Sequence, residues 1–184
     1  MLKRVNSLVN KDITFVAGVH GVGKSTLCVK LASMANLTHL SASDLIRRRK
    51  ELDKNKKVIN PLDNQEILVQ ELMNYPLNNK LLLDGHFCLL DMNERVIKLP
   101  IELYKNMEIS KILLLRSEAE LIYKRVLIRD YGKSGLSLKT INDLQDAEME
   151  HAYRVSEALD IPLLEINVLE SKINSEIKKI LKFI

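Results

Sequence analysis

The chain has 184 residues, 46% hydrophobic and 28% charged, a balance that fits one globular domain with a real core and excludes a disordered chain. No apolar run approaches the ~20 residues needed to span a bilayer. A formal charge of +4 is too weak to argue for nucleic acid alone, though it suits a protein that neutralises polyphosphate, and 4% aromatics with no Trp speak against a base-stacking platform for single strands.

The N-terminal stretch, Met1 to Asp12, is basic and polar and lacks the apolar core of a signal peptide; a short surface extension is expected. Ile13 to Ala17 reads as a buried strand and Lys24 to Met34 as a helix. Leu37 to Leu40 predicts a short second strand, and Ser43 to Leu52 and Asn64 to Met73 predict helices. Lys80 to Leu83 is another buried strand, ending at Asp84-Gly85. Phe87 to Leu90 and Arg95 to Ile97 flank Asp91 to Glu94, which suggests a hairpin or loop excursion. Pro100 opens a short helix, and Lys111 to Leu115 is a strand. Glu118 to Arg129 and Thr140 to Ala158 are helical, Leu163 to Val168 is the last strand, and Ile173 to Ile180 the last helix.

Strands apolar on both faces, alternating with helices, predict an α/β architecture. Three layers are expected, a parallel sheet of roughly five strands with helices on both faces. One domain over 1–184 is expected, with its core at 12–184. The two cysteines, Cys28 and Cys88, fit no zinc spacing and no disulfide framework, and read as buried thiols of a reducing, cytoplasmic protein.

Gly18-Val19-His20-Gly21-Val22-Gly23-Lys24-Ser25 meets the pattern G-x-x-x-x-G-K-[ST] in full, between a strand and a helix. The glycines let successive N–H groups turn inward on phosphate oxygens, and the helix N-terminus adds a favourable dipole. The motif in this frame predicts a three-layer P-loop NTPase fold, and ATP with Mg²⁺ is the expected ligand. Lys24 can reach the β- and γ-phosphates, Ser25 can ligate the metal, and Thr26 is placed for the α-phosphate. His20 either touches a phosphate or acceptor or is a bystander in a variable position. Asp84, closing a buried strand, is a second candidate for holding Mg²⁺ through water; the alternative is an acid that starts a turn with Gly85. His86 either orients water near the γ-phosphate or acts as a structural hydrogen-bonder.

Three segments resemble the adenylate kinase group of nucleotide kinases. They are the phosphate loop, Leu40-Ser41-Ala42-Ser43-Asp44-Leu45-Ile46-Arg47, and Arg125-Val126-Leu127-Ile128-Arg129. Asp84-Gly85-His86 is similar to the short-lid branch, which includes archaeal adenylate kinases and adenylate kinase/ATPase proteins with a D-x-H motif. The resemblance implies transfer of the ATP γ-phosphate to a nucleoside monophosphate or similar small acceptor. It implies an acceptor-binding arm over about 44–76 that carries Asp44 and Arg47, and a short lid over about 125–138 whose Arg125 and Arg129 clamp the phosphates. The chain departs from the family at Ala42-Ser43, where Thr-Gly is usual, and after Gly85, where His86-Phe87-Cys88 replaces the segment carrying a second acceptor arginine. Arg95 or Lys98 is a candidate substitute. The departures keep two other expectations open: a kinase-like ATPase or switch module acting on a protein or RNA partner, and a kinase of a nucleoside, sugar acid or polynucleotide end.

Seven basic residues between Arg47 and Lys57 read either as a solvated arm or as a docking surface for a larger anion. Arg125 and Arg129 lie four apart on one helix face, where they can serve phosphate or pair with Glu118 or Glu120; Arg154 is a weaker candidate. Nucleic acid stays a possible partner without support, no membrane partner is expected, and the sequence is silent on oligomeric state.

Overall fold

A computed structural model describes residues 12–52, 61–75, 80–129, 131, 136–168 and 173–184. Strand β1 (Ile13–Ala17) is fully buried. It runs through the phosphate loop into helix α1 (Lys24–Ala35), which stops where Asn36 turns left-handed at φ 51 and Leu37 N–H closes onto the Ala32 carbonyl. Then come β2 (Thr38–Ser41), α2 (Ala42–Leu52), α3 (Pro61–Asn74), β3 (Leu81–Asp84), β4 (Cys88–Leu90), β5 (Val96–Lys98) and α4 (Ile101–Asn106). They are followed by β6 (Ile109–Arg116), α5 (Ala119–Arg129), α6 (Leu138–Leu159), β7 (Leu163–Asn167) and α7 (Ile173–Phe183).

Five strands form one parallel sheet in the order β2-β3-β1-β6-β7. The central three are leucine- and isoleucine-rich and buried on both faces, as a parallel sheet covered by helices requires. Register places Asp84 beside both Val16 and Ser41, so the phosphate loop, the acid and the start of α2 emerge together at the carboxyl ends of β1, β3 and β2. Below them Phe15, Phe87 and Tyr104 pack edge-on and tilted with ring centroids 4.7–5.3 Å apart.

Phe87 to Lys98 forms a two-stranded antiparallel hairpin of β4 and β5. Its turn has no glycine: Asp91 Oδ1 accepts the N–H groups of Asn93 and Arg95, and Glu94 takes the left-handed conformation at φ 59. No described helix is long and apolar enough to cross a membrane. The Met1 to Lys11 segment, Lys54, Lys56 and Lys57 of the basic run, and Asp130 with 132–135 of the expected lid lie outside the described residues.

Candidate active site

The chain between β1 and α1 curls because its glycines allow it. A Cβ on Gly18 would stand 2.6 Å from the Leu115 carbonyl oxygen. Gly21 has φ +83, and a Cβ there would stand 2.6 Å from the Val126 side chain. Val19 and Val22 point into the core and anchor the loop from behind. Helix α1 starts with no side-chain cap and no acid in its first turn, so its free N–H groups and positive dipole end face the cavity. His20, Gly21, Gly23, Lys24, Ser25 and Thr26 line that cavity, joined by Asp84, His86, Arg125 and Arg129. Fold and loop thus bring most of the expected phosphate residues to one place.

Lys24 is only 7% exposed. Its Nζ donates to the carbonyls of Gly18 at 2.6 Å and Val19 at 3.1 Å. Burial pushes its pKa down from 10.5 to about 8, against the pull of Glu148 and Asp84. Asp84 would be raised by burial, but His39, Lys24 and a hydrogen bond from Ser25 outweigh this and hold its carboxyl below the usual range. His39 Nε2 donates to Asp84 Oδ2 at 2.7 Å. Ser25 hydroxyl and Asp84 carboxylate therefore stand together as hard oxygen donors, the type of set Mg²⁺ takes, and the uncapped helix end suits a polyphosphate. Cys28 adds a thiol within 4.8 Å of the His39 and Asp84 ligand atoms. The His39–Asp84 hydrogen bond satisfies that pair without an ion.

His86 is held well below the ordinary histidine pKa by burial, Lys24 and His20, so it is a neutral ring. It tilts against exposed His20 with centroids 4.2 Å apart, and Tyr104 Oη donates to its carbonyl. Arg125 donates to the Val22 carbonyl at 3.2 Å, which sets its guanidinium at the loop.

The structure separates other expected residues from this cavity. Arg47 pairs with Asp44 at 2.9 Å on the exposed face of α2 and lines a shallow depression with Ile46, Lys50 and Asn64. Neither Arg95 nor Lys98 lines the phosphate cavity. Lys98 instead ties the hairpin to α6 through Glu150 at 2.7 Å, because antiparallel pairing turns it toward that helix. Arg154 pairs with the same glutamate.

A second, apolar cavity adjoins the first. Phe15, Ile46, Leu68, Leu99, Leu103 and Met107 form most of its wall, with the amides of Asn64 and Gln65. Oδ1 of Asn64 is buried there with no hydrogen-bond partner. Ser43, Asp84 and His86 belong to both cavities. Sequence reasoning missed this chamber, since its lining comes from five separate segments. It also missed Glu148, a buried acid on α6 against the loop; its one sequence signal is a charge on the apolar face of a long helix.

A family model described as an AAA domain matches residues 17–145. The probable UMP-CMP kinase 2 of Arabidopsis thaliana is 28% identical over 167 residues, 83% of this chain and 58% of that protein. UMP-CMP kinase 2 of Oryza sativa subsp. japonica is 26% identical over 172 residues, covering 88% of this chain and 65% of that protein. This chain thus spans about three-fifths of the length of these relatives. Among solved structures, shikimate kinase from Acinetobacter baumannii in complex with shikimate aligns at TM-score 0.60 and 16% identity, over 94% of this chain and 92% of that one. Shikimate kinase from Bacteroides thetaiotaomicron aligns at 0.57 and 15%, over 94% and 97%. These two likenesses show a shared fold.

Proposed function

The chain belongs to the AAA-domain family, and on that premise we propose that it is a phosphotransferase that moves the ATP γ-phosphate to a nucleoside monophosphate. One observation carries the reading: a phosphate cavity opens onto an apolar one, and Ser43, Asp84 and His86 wall both. A flat base in the apolar chamber would leave its own phosphate near these three residues, facing the donor. The unpartnered Asn64 Oδ1 suits a donor on the polar edge of a base, and the aliphatic wall suits its faces. A polyhydroxylated acid such as shikimate would leave its hydroxyls unpaired against that wall. The names of the UMP-CMP kinase relatives agree with this reading.

Backbone amides from Gly18 to Thr26 would hold the triphosphate, with Lys24 leaving the Gly18 and Val19 carbonyls for phosphate oxygens. Ser25 and Asp84 would hold Mg²⁺, which when bound neutralises charge on the phosphates. Arg125 and Arg129 would close over the transferring group as a short lid of the kind the adenylate kinase resemblance implies. Arg47 would exchange Asp44 for the acceptor phosphate. An acceptor oxygen then attacks the γ-phosphorus as the bond to the β–γ bridging oxygen breaks, and ADP leaves. Neutral His86 can donate or accept one hydrogen bond at that point without adding charge. Catalysis here is positioning and charge neutralisation, so no strong base is required.

The test is ATP consumption with UMP, CMP, AMP, GMP, shikimate or water as acceptor. At least one monophosphate is expected to speed ADP release, with its diphosphate formed one for one. Arg125→Ala should lower kcat by about 10³ or more, and Lys24→Ala should abolish both binding and turnover. ADP release at the water rate with every acceptor overturns the proposal.

A further inference from the structure

Helix α6 carries three buried polar side chains on successive turns of one face, Gln145, Glu148 and His151, among Ile141, Leu144, Ala152 and Val155. Each grips backbone at a strand end. Gln145 accepts the Ser117 N–H at 3.1 Å and donates to the Ser117 carbonyl at 3.0 Å, after β6. His151 Nε2 bonds the Leu99 carbonyl, after β5. Glu148 spans two strand ends at once. Its Oε1 accepts the N–H of Gly18 at 3.1 Å and of Phe87 at 2.9 Å, and its Oε2 accepts the N–H of Cys88 at 2.7 Å.

We propose that Glu148 is a positioning residue for triphosphate binding: it locks the first glycine of the phosphate loop, whose carbonyl holds Lys24, to the segment after Asp84. The proposal rests on the phosphate-loop reading of the site, and not on which acceptor is used.

Glu148 is 1% exposed. Burial holds its pKa above the ordinary glutamate range, against the three N–H donors and Lys24. Among the described residues three donors point at its two oxygens and no acceptor does, an arrangement that favours the carboxylate over the acid. That charge lies one residue from the lysine it serves: Gly18 gives its N–H to Glu148 and its carbonyl to Lys24. An apolar residue at 148 would leave three buried N–H groups unpaired and release Gly18 from the Phe87–Cys88 segment. Since Phe87 and Cys88 follow directly on Asp84-Gly85-His86, the same carboxylate also fixes the Asp84 side of the site relative to Lys24 and Ser25.

The experiment measures Mg·ATP affinity by calorimetry on the full chain and on Glu148→Gln and Glu148→Asp, with Tm alongside. Glu148→Gln offers one acceptor oxygen to three N–H groups and is expected to bind about tenfold or more weakly. Glu148→Asp keeps both oxygens but reaches less far, so its affinity falls between that of Glu148→Gln and the parent. A Glu148→Gln chain with reduced Tm but parental affinity overturns the proposal, because its role is then structural only. Should Glu148→Gln not fold, Glu148→Asp decides: affinity within about twofold of the parent overturns it. A parent chain that binds no Mg·ATP overturns the phosphate-loop reading itself and this inference with it.

Discussion

Lys24 and Asp84 hold opposite charges in one buried site, and each keeps its charge through neighbours. For Asp84 the neighbour is His39, whose Nε2 sits 2.7 Å from its carboxylate. Asp84 is held below its unfolded value by His39 and Lys24 against burial, so its stabilising contribution is complete at neutral pH and disappears as pH falls through the folded value. His39→Ala lets burial prevail and raises that value. Acid unfolding, followed by circular dichroism, should then begin at higher pH than in the parent; an unchanged acid midpoint would count against the pairing. The phosphate loop with Ser25 was legible as a candidate from its spacing, Asp84 from its place at a strand end, and Arg125 and Arg129 from a family resemblance; the fold brings them to one cavity. Glu148 was not, because its partners are backbone N–H groups 130, 61 and 60 positions away, which no side-chain pattern displays. Arg47 was legible as a motif position, but its pairing with Asp44 on the exposed face of α2 is a matter of rotamer and arm placement.

Among elements, α6 joins the site's parts. It starts at Ser137, whose hydroxyl accepts the Thr140 N–H, and runs 22 residues past three strand ends. Gln145 anchors it to Ser117 through both amide atoms, so Gln145→Leu strands one buried donor and one acceptor. That should cost about 1–3 kcal/mol in urea unfolding. Mg·ATP affinity should be unchanged, because Gln145 contacts Ser117 and neither the phosphate loop nor Lys24 loses a partner. Strand and helix positions followed from apolar runs and came out within a few residues. The hairpin stayed ambiguous in the sequence because its turn relies on Asp91 side-chain bonds and a left-handed Glu94 in place of glycine.

At the scale of the whole molecule, five parallel strands and covering helices were readable from periodicity, but the order β2-β3-β1-β6-β7 was not. Parallel partners lie far apart in sequence, and buried strands of similar composition do not announce their neighbours. The same order explains why the apolar chamber was invisible: it exists only where β1, β3, α2, α3 and α4 converge.

Cys28 lies in the first half of α1, fully buried behind the phosphate loop, and burial pushes its thiol far above the ordinary cysteine value. A thiol in that state reacts only when the helix lifts away, so its rate of alkylation is a clock for opening of the loop. Cys88, pushed up to about 12, keeps a second clock on the hairpin side. Saturating Mg·ATP should slow the Cys28 clock roughly in proportion to nucleotide occupancy, read by intact mass after timed iodoacetamide quenching. Equal rates with and without nucleotide would mean that the loop opens independently of its ligand.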